Sequence, residues 1–280
     1  MNALELINFG ASELRRKKIS TSRLDSELLL SKILDKNREE ILINLEKKIC
    51  QKHFLKYKQL IQRRSQCEPI AYIMEEKEFW SKNFLVSSDT LIPRPETELI
   101  VEKLTKIFEE KKISILDIGT GTGCILISLL SELKNSKGIG IDISKKALII
   151  AEKNSEYHGM KNKIKFFHKS LDSKFYQKFD LIVSNPPYIK KCEIKNLKED
   201  VRKFEPRIAL DGGNDGLDLI KKVIYKSKYI LKIKGMLALE IGNEQFKKVS
   251  KILKNNKFKA KYLVKDYQEN IRCILSTLEN

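Results

Sequence analysis

Over the first 75 residues the apolar positions recur at helical spacing. Leu24, Leu28, Ser31 and Leu34 fall on one stripe behind a Ser20-Thr21-Ser22 start signal, and Phe54, Leu55, Tyr57, Leu60 and Ile61 mark a second amphipathic stretch. The texture then changes. Glu78-Phe79-Trp80 and Phe84-Leu85-Val86, separated by Ser81-Lys82-Asn83, read as a short hairpin that joins two domains. From about residue 113, short apolar runs alternate with amphipathic ones. Strands are expected over 113–118, 138–143, 164–167 and 179–184, with helices over 124–133 and 145–158. A helix near 217–231, a strand over 236–241, a helix over 244–255 and two strands around Tyr262 and over 272–277 follow. Such alternation predicts an α/β fold with a doubly wound, mostly parallel sheet, whose ligand sits at the carboxyl ends of the strands. The last two strands are joined by 266–270, too short for a helix, and predict an antiparallel hairpin at one edge. The expected organisation is a helical domain over 1–75, a hairpin linker over 76–95 and an α/β domain over 96–280.

Composition narrows the class. A 41% hydrophobic share beside 33% charged residues is that of a globular chain. No apolar run approaches the roughly 20 residues of a membrane span, and the opening MNALELINFGASELRRKK lacks an apolar signal core, so no membrane association and a cytoplasmic location are expected. Five scattered cysteines and three histidines (His53, His158, His168) contain no C-x-x-C pair or cluster, so neither a disulfide framework nor a metal site is expected. A monomer is the expectation, since there is no heptad pattern. The net charge of +18 changes the picture more. Summed positive potential concentrates polyanions, which invites a nucleic-acid or anionic-membrane reading. Against this, only ten of the basic residues are arginine, the more committed phosphate reader. Abundant lysine, isoleucine and asparagine are also what an AT-rich genome gives any protein.

The candidate chemistry begins after the first strand of the α/β domain. Asp117-Ile118-Gly119-Thr120-Gly121-Thr122-Gly123 places glycines where the backbone must turn tightly and approach a ligand. Its spacing is G-x-G-x-G, unlike the G-x-G-x-x-G of dinucleotide enzymes. Asp142 ends the next strand, where a carboxylate reaches the two hydroxyls of an adenosine ribose. Asp117 can meet an amino group. The combination resembles the S-adenosyl-L-methionine site of class I methyltransferases. The plainer reading is a helix start, with Asp142 capping the helix at Lys145.

A second loop, Asn185-Pro186-Pro187-Tyr188, follows Asp180-Leu181-Ile182-Val183-Ser184 at the carboxyl end of a central strand. An amide or aryl amine nitrogen is a weak nucleophile, so it must be held in line with the electrophilic methyl group. The Asn185 side-chain oxygen and the Pro186 carbonyl can each accept one hydrogen of an NH2 group, and the prolines hold the carbonyls in place. Tyr188 can stack on the planar amide or base. An isolated Asn-Pro-Pro would read as a strand-ending turn. Together the two loops predict an N-methyltransferase for a planar NH2 group, without choosing among adenine, cytosine and glutamine.

Three further segments carry a resemblance. Glu68-Pro69-Ile70-Ala71-Tyr72 with Glu78-Phe79-Trp80, Leu91-Ile92-Pro93-Arg94-Pro95-Glu96-Thr97-Glu98, and Phe204-Glu205-Pro206 through Ala209-Leu210-Asp211-Gly212-Gly213 to Asp215-Gly216-Leu217 resemble, with the helical leader, the bacterial release factor glutamine methyltransferases over essentially the whole chain. The resemblance implies N5 methylation of the glutamine in the Gly-Gly-Gln motif of class 1 peptide chain release factors, with S-adenosyl-L-homocysteine as product and no obligatory nucleic acid. It implies that 96–280 is the methyltransferase domain and that the helical domain helps grip the release factor. It implies cofactor contacts from Asp117, Gly119, Thr120, Gly121, Thr122, Gly123, Asp142, Ser170, Leu171 and Asn185. The substrate glutamine falls to Asn185, Pro186, Pro187 and Tyr188, with Arg94, Pro95 and Glu98 on the rim. Arg94, Pro95 and Glu98 equally read as a helix start. Two departures stand out. Ser170 replaces an acid that many relatives use for the adenine amino group, with Leu171 in the place of the ring-packing residue. Cys67 stands where a glycine is frequent. The alternatives are a DNA or RNA adenine N6-methyltransferase, which normally carries a target-recognition region to hold a flipped base, a relative that modifies a glutamine of a ribosomal protein, and a non-enzymatic RNA-binding scaffold.

Overall fold

The computed structural model describes residues 1–279. The chain separates into two compact units, one made of Met1–Glu76 with Lys198–Phe204 and the other of Lys77–Leu197 with the chain from Glu205 onward. No helix among the described residues is long and apolar enough to cross a membrane.

The first unit contains α1 (Ala3–Arg16), α2 (Ser22–Leu34), α3 (Arg38–Ile43), α4 (Gln51–Ser65) and α5 (Ile70–Met74). A reciprocal capping box starts α1: the Glu5 amide donates to Asn2 Oδ1 and the Asn2 amide to the Glu5 carboxylate. Gly10 is obligatory in the middle of this helix, because a Cβ there would lie 2.0 Å from the Tyr57 hydroxyl. That hydroxyl is fully buried, 2.7 Å from Ser26 Oγ, and donates to the Leu6 carbonyl. The expected stripe on α2 is partly displaced. Leu24 is 42% exposed, while Ser31 is buried as expected together with Ser22, Asp25, Ser26, Glu27, Leu29 and Leu30. Asp25 and Ser26 can face the core because both have partners: Arg64 Nε donates to Asp25 at 2.7 Å, and Ser26 donates to the Ile7 carbonyl. The chain leaves α4 through Cys67, whose φ of +68° lies in the left-handed region that glycine adopts without a Cβ penalty.

The second unit opens with β1 (Glu76–Phe79) and β2 (Lys82–Leu85), paired in a two-stranded sheet of their own, and α6 (Pro95–Phe108). The main elements follow as β3 (Ser114–Ile118), α7 (Cys124–Glu132), β4 (Lys137–Asp142), α8 (Lys145–Tyr157), β5 (Ile164–His168) and β6 (Phe179–Ser184). After α9 (Glu199–Phe204), which is grouped with the first unit, come α10 (Asp218–Ile230), β7 (Leu231–Glu240), α11 (Phe246–Asn255), β8 (Phe258–Lys265) and β9 (Ile271–Leu278). The seven-stranded sheet runs β5-β4-β3-β6-β7-β9-β8. Its first five strands are parallel and β9 is antiparallel to both neighbours, which is the expected closing hairpin.

Alternate strand residues feed two apolar layers, as a sheet covered on both faces requires. Ile115, Leu181, Val183 and Leu275 pack with Ile100 and Leu104 of α6 and Leu126 and Leu130 of α7. Leu116, Ile182 and Ile274 pack on the other face with Ile220 and Ile224 of α10 and Val249 and Leu253 of α11. Two features depart from the periodicity reading. α6 precedes the first strand, and β7 begins at Leu231, ahead of the expected Met236. Residues 169–178 cross from the edge to the centre of the sheet without a helix.

Candidate active site

Parallel pairing puts the two sequence loops side by side. Ile118 lies opposite Ile141 on one side and Ser184 on the other, so the residues following β3, β4 and β6 leave the sheet together at its carboxyl edge. Ser184 lies opposite Leu239, which brings Glu240 to the same edge from β7. His168 pairs with Asp142 and sets Ser170 and Leu171 just beyond β5.

Gly119, Gly121 and Gly123 all have positive φ (+73°, +55° and +79°). A Cβ on Gly119 would meet nothing within 4 Å, and one on Gly121 only the Gly119 carbonyl. The loop is therefore an open cradle with bare backbone facing outward. Its base is tied down by Thr120, whose hydroxyl donates to Asp117 Oδ2 at 2.6 Å, and by the Gly119 and Thr120 amides, which donate to the Ile141 carbonyl. The Gly121 and Ser144 amides donate to the two oxygens of Asp142, holding its carboxylate beside the cradle with lone pairs to spare. Thr122 contributes its hydroxyl to the Cys124 amide and its carbonyl to the buried Asn154 side chain, which also clamps both backbone groups of Leu85.

Asp117 is 1% exposed, and its Oδ1 has no hydrogen-bond partner. Burial, reinforced by the charge of Asp142, pushes its carboxyl up to about 7, with the Thr120 hydrogen bond opposing the shift. A buried acceptor left open next to an uncovered glycine cradle fits a ligand that brings a cationic amine, which would both satisfy Oδ1 and favour the ionised form.

The Asn-Pro-Pro-Tyr loop is held from behind. Gln245 Nε2 donates to the carbonyls of Tyr188 and Gly216, and the Ile189 amide donates to the Leu210 carbonyl while Gly212 donates back to Ile189. The spacing in Asp211-Gly212-Gly213 through Gly216 follows from this contact: a Cβ on Gly212 would sit 2.8 Å from the Pro187 oxygen, and one on Gly216, at φ +74°, 2.4 Å from the Tyr188 oxygen. At the front, Asn185 Nδ2 lies 3.2 Å from Thr97 Oγ1, Thr97 donates to Glu240 Oε2 at 2.7 Å, and the Tyr188 hydroxyl points to Glu240 Oε1 at 3.4 Å. Glu240 is buried, and desolvation raises its carboxyl to about 7. Burial likewise pushes the Tyr188 hydroxyl up, helped by the Glu240 charge.

The rim residues have partners of their own. Arg94 donates to the buried carboxylate of Glu205, which also accepts from the Ile92 amide. Glu98 accepts from the Trp80 amide, and with Pro95 it lines a cleft of about 350 Å³ that also includes Tyr267 and Arg272. Ser170 Oγ accepts from the Asp172 amide, and Leu171 is buried in the apolar layer beneath β4. Glu240, Thr97 and Gln245 were not singled out by the sequence reading. The signal for Glu240 was present: one acid inside the otherwise apolar run Met236-Leu237-Ala238-Leu239-Glu240-Ile241.

Residues 5–74 match the family model described as the PrmC N-terminal domain, and residues 92–202 match the methyltransferase small domain. The chain is 42% identical over 254 residues to the release factor glutamine methyltransferase of Buchnera aphidicola subsp. Acyrthosiphon pisum, covering 91% of each chain. It is 37% identical to the protein of that name from Fusobacterium nucleatum, covering 98% of this chain and 78% of that one. The ribosomal protein L11 methylase from Lactobacillus delbrueckii subsp. bulgaricus shares the fold, with a TM-score of 0.52 at 18% identity over 70% of this chain and 84% of that one.

Proposed function

Because the chain belongs to the release factor glutamine methyltransferase family, we propose that it transfers a methyl group from S-adenosyl-L-methionine to the side-chain amide nitrogen of the glutamine in the Gly-Gly-Gln motif of class 1 peptide chain release factors. The observation that carries the reading is the juxtaposition, on adjacent parallel strands, of an open glycine cradle flanked by two acids and the Asn-Pro-Pro-Tyr loop. When bound, the cofactor supplies a methyl group activated by a sulfonium centre. Asp117 Oδ1 would receive its amine, Asp142 would accept from its ribose hydroxyls, and the bare backbone at Gly119 and Gly121 would let it approach closely.

Asn185 Oδ1 and the Pro186 carbonyl each accept one hydrogen of the glutamine NH2. That pins the amide plane and points the nitrogen lone pair at the methyl carbon. Tyr188 covers the amide face, and its hydroxyl is anchored on Glu240. The new N–C bond would form as the methyl–sulfur bond breaks, its electron pair staying on sulfur to leave S-adenosyl-L-homocysteine, and the nitrogen, made acidic, releases its proton to water or a neighbouring acceptor. Arg94 shapes the rim through its ion pair with Glu205.

The test is transfer of labelled methyl from the cofactor to purified release factor and, separately, to DNA and RNA. Label in the release factor is the expected result. Label in nucleic acid alone would contradict the reading and favour the adenine methyltransferase alternative.

A further inference from the structure

Which way the Asn185 amide points decides whether it offers the substrate an oxygen or a second NH2 group. A lone side chain could adopt either orientation at equal cost. The structure contains a device that breaks the tie. Thr97 Oγ1 stands 2.7 Å from Glu240 Oε2 and 3.2 Å from the Asn185 amide. Thr97 and Glu240 are both buried, at 2% and 3% exposure, shielded from bulk solvent. An ionised carboxylate only accepts. The single hydrogen of the Thr97 hydroxyl therefore goes to Glu240, and the remaining Thr97 lone pairs can only receive a hydrogen from Asn185. Tyr188 donates into the other Glu240 oxygen, so both of its oxygens face donors. The donors all run one way, toward Glu240.

We propose that Thr97 and Glu240 are positioning residues for Asn185: the chain from the Asn185 NH2 to the Thr97 hydroxyl to the Glu240 carboxylate locks the amide with its oxygen turned toward the substrate nitrogen. The inference rests on the reading that Asn185 accepts a hydrogen of the substrate amide. It extends that reading to two residues on α6 and β7 that reach Asn185 through hydrogen bonds.

A proton on Glu240 would undo the lock. The acid form carries a hydrogen of its own, which it can give to Thr97. The Thr97 hydrogen is then free to turn to Asn185, and the amide can flip. The groups facing Glu240 are Arg272 and Cys273 from β9, Glu96 from α6, Tyr188 from the loop and Cys124 at the start of α7. Arg272 favours the ionised form and Glu96 opposes it. Since burial raises the Glu240 carboxyl to about 7 and the competent form is ionised, turnover falls as pH drops through about 7.

The experiment compares wild type, Thr97→Val, Thr97→Ser, Glu240→Gln and Asn185→Ala at saturating cofactor, measuring kcat, the KM for release factor, cofactor affinity and melting temperature. Valine keeps the shape of threonine and deletes the hydroxyl. The expected result is a kcat lower by about tenfold or more for Thr97→Val, with KM and cofactor affinity within about twofold of wild type, and recovery of most of the rate in Thr97→Ser. Glu240→Gln, which can still accept from Thr97 but cannot titrate, loses the acid limb of the kcat profile. Wild-type kcat in a folded Thr97→Val, or equal losses in the valine and serine variants, would overturn the proposal. An acid limb unchanged in Glu240→Gln would overturn it as well, and that arm decides the matter if Thr97→Val does not fold. The two levels separate in Asn185→Ala. Full turnover there removes the reading beneath, whereas a dead Asn185→Ala beside a fully active Thr97→Val removes only the positioning role.

Discussion

Asp117 shows how a single residue can carry a cost in the free protein that its ligand relieves. Its carboxyl is buried, has one open oxygen and is raised from 3.8 to about 7. Because the folded-state value lies above the unfolded one, the burial penalty is absent below about pH 4, grows between 4 and 7 and is complete above 7. Asp117→Asn is therefore expected to stabilise the ligand-free protein at pH 8 by about 1–3 kcal/mol, with the gain vanishing near pH 4. The same change should weaken binding of the cofactor, whose amine would face a neutral partner. Thermal unfolding at the two pH values, with calorimetry of cofactor binding, checks both signs. Asp142→Ala should cost about 1–3 kcal/mol of cofactor affinity, read by the same calorimetry, since ribose hydroxyls lose a charged acceptor. At this scale Asp117, Gly119 to Gly123, Asp142 and Asn185 were legible because their types are required by local loop geometry. Thr97 and Glu240 were not, because they meet Asn185 only through the register of β6 on β7 and the packing of α6.

Most elements could be read from periodicity, and the exceptions have tertiary causes. Leu24 alone of the α2 stripe is exposed, because Asp25 and Ser26 turn inward to Arg64 and Tyr57, contacts made with α4 and invisible to a hydrophobic pattern. The start of β7 was missed because Lys232, Ile233 and Lys234 lie in the strand yet are exposed, Ile233 at 82%. No helix is expected between the strands at 164–167 and 179–184, and the link over 169–178 has none. Cys67 ends α4 with a left-handed backbone at a position where a side chain costs about 1 kcal/mol. Cys67→Gly is accordingly expected to raise stability by about 0.5–1 kcal/mol, measured by denaturant titration, with no change in turnover.

For the whole molecule, the net charge of +18 is the feature that pointed elsewhere. Many of its lysines are engaged locally: Lys32 with Glu75, Lys106 with Glu102, Lys232 with Asp180, and Lys103 over the Tyr262 ring. These contacts lie in both units. A residual role in steering an acidic protein partner predicts that kcat/KM for release factor falls about threefold or more between roughly 0.05 and 0.3 M salt, with kcat unchanged. A flat salt profile would leave the charge without a part in recognition. The central claim is the identity of the methylated atom. Incubation with labelled cofactor and a class 1 release factor, followed by mass spectrometry of the Gly-Gly-Gln peptide and of a release factor carrying alanine at that glutamine, tests it most directly. One methyl group on the glutamine side-chain amide, and none on the alanine variant, is the predicted result; equal labelling of the two release factors would contradict the account.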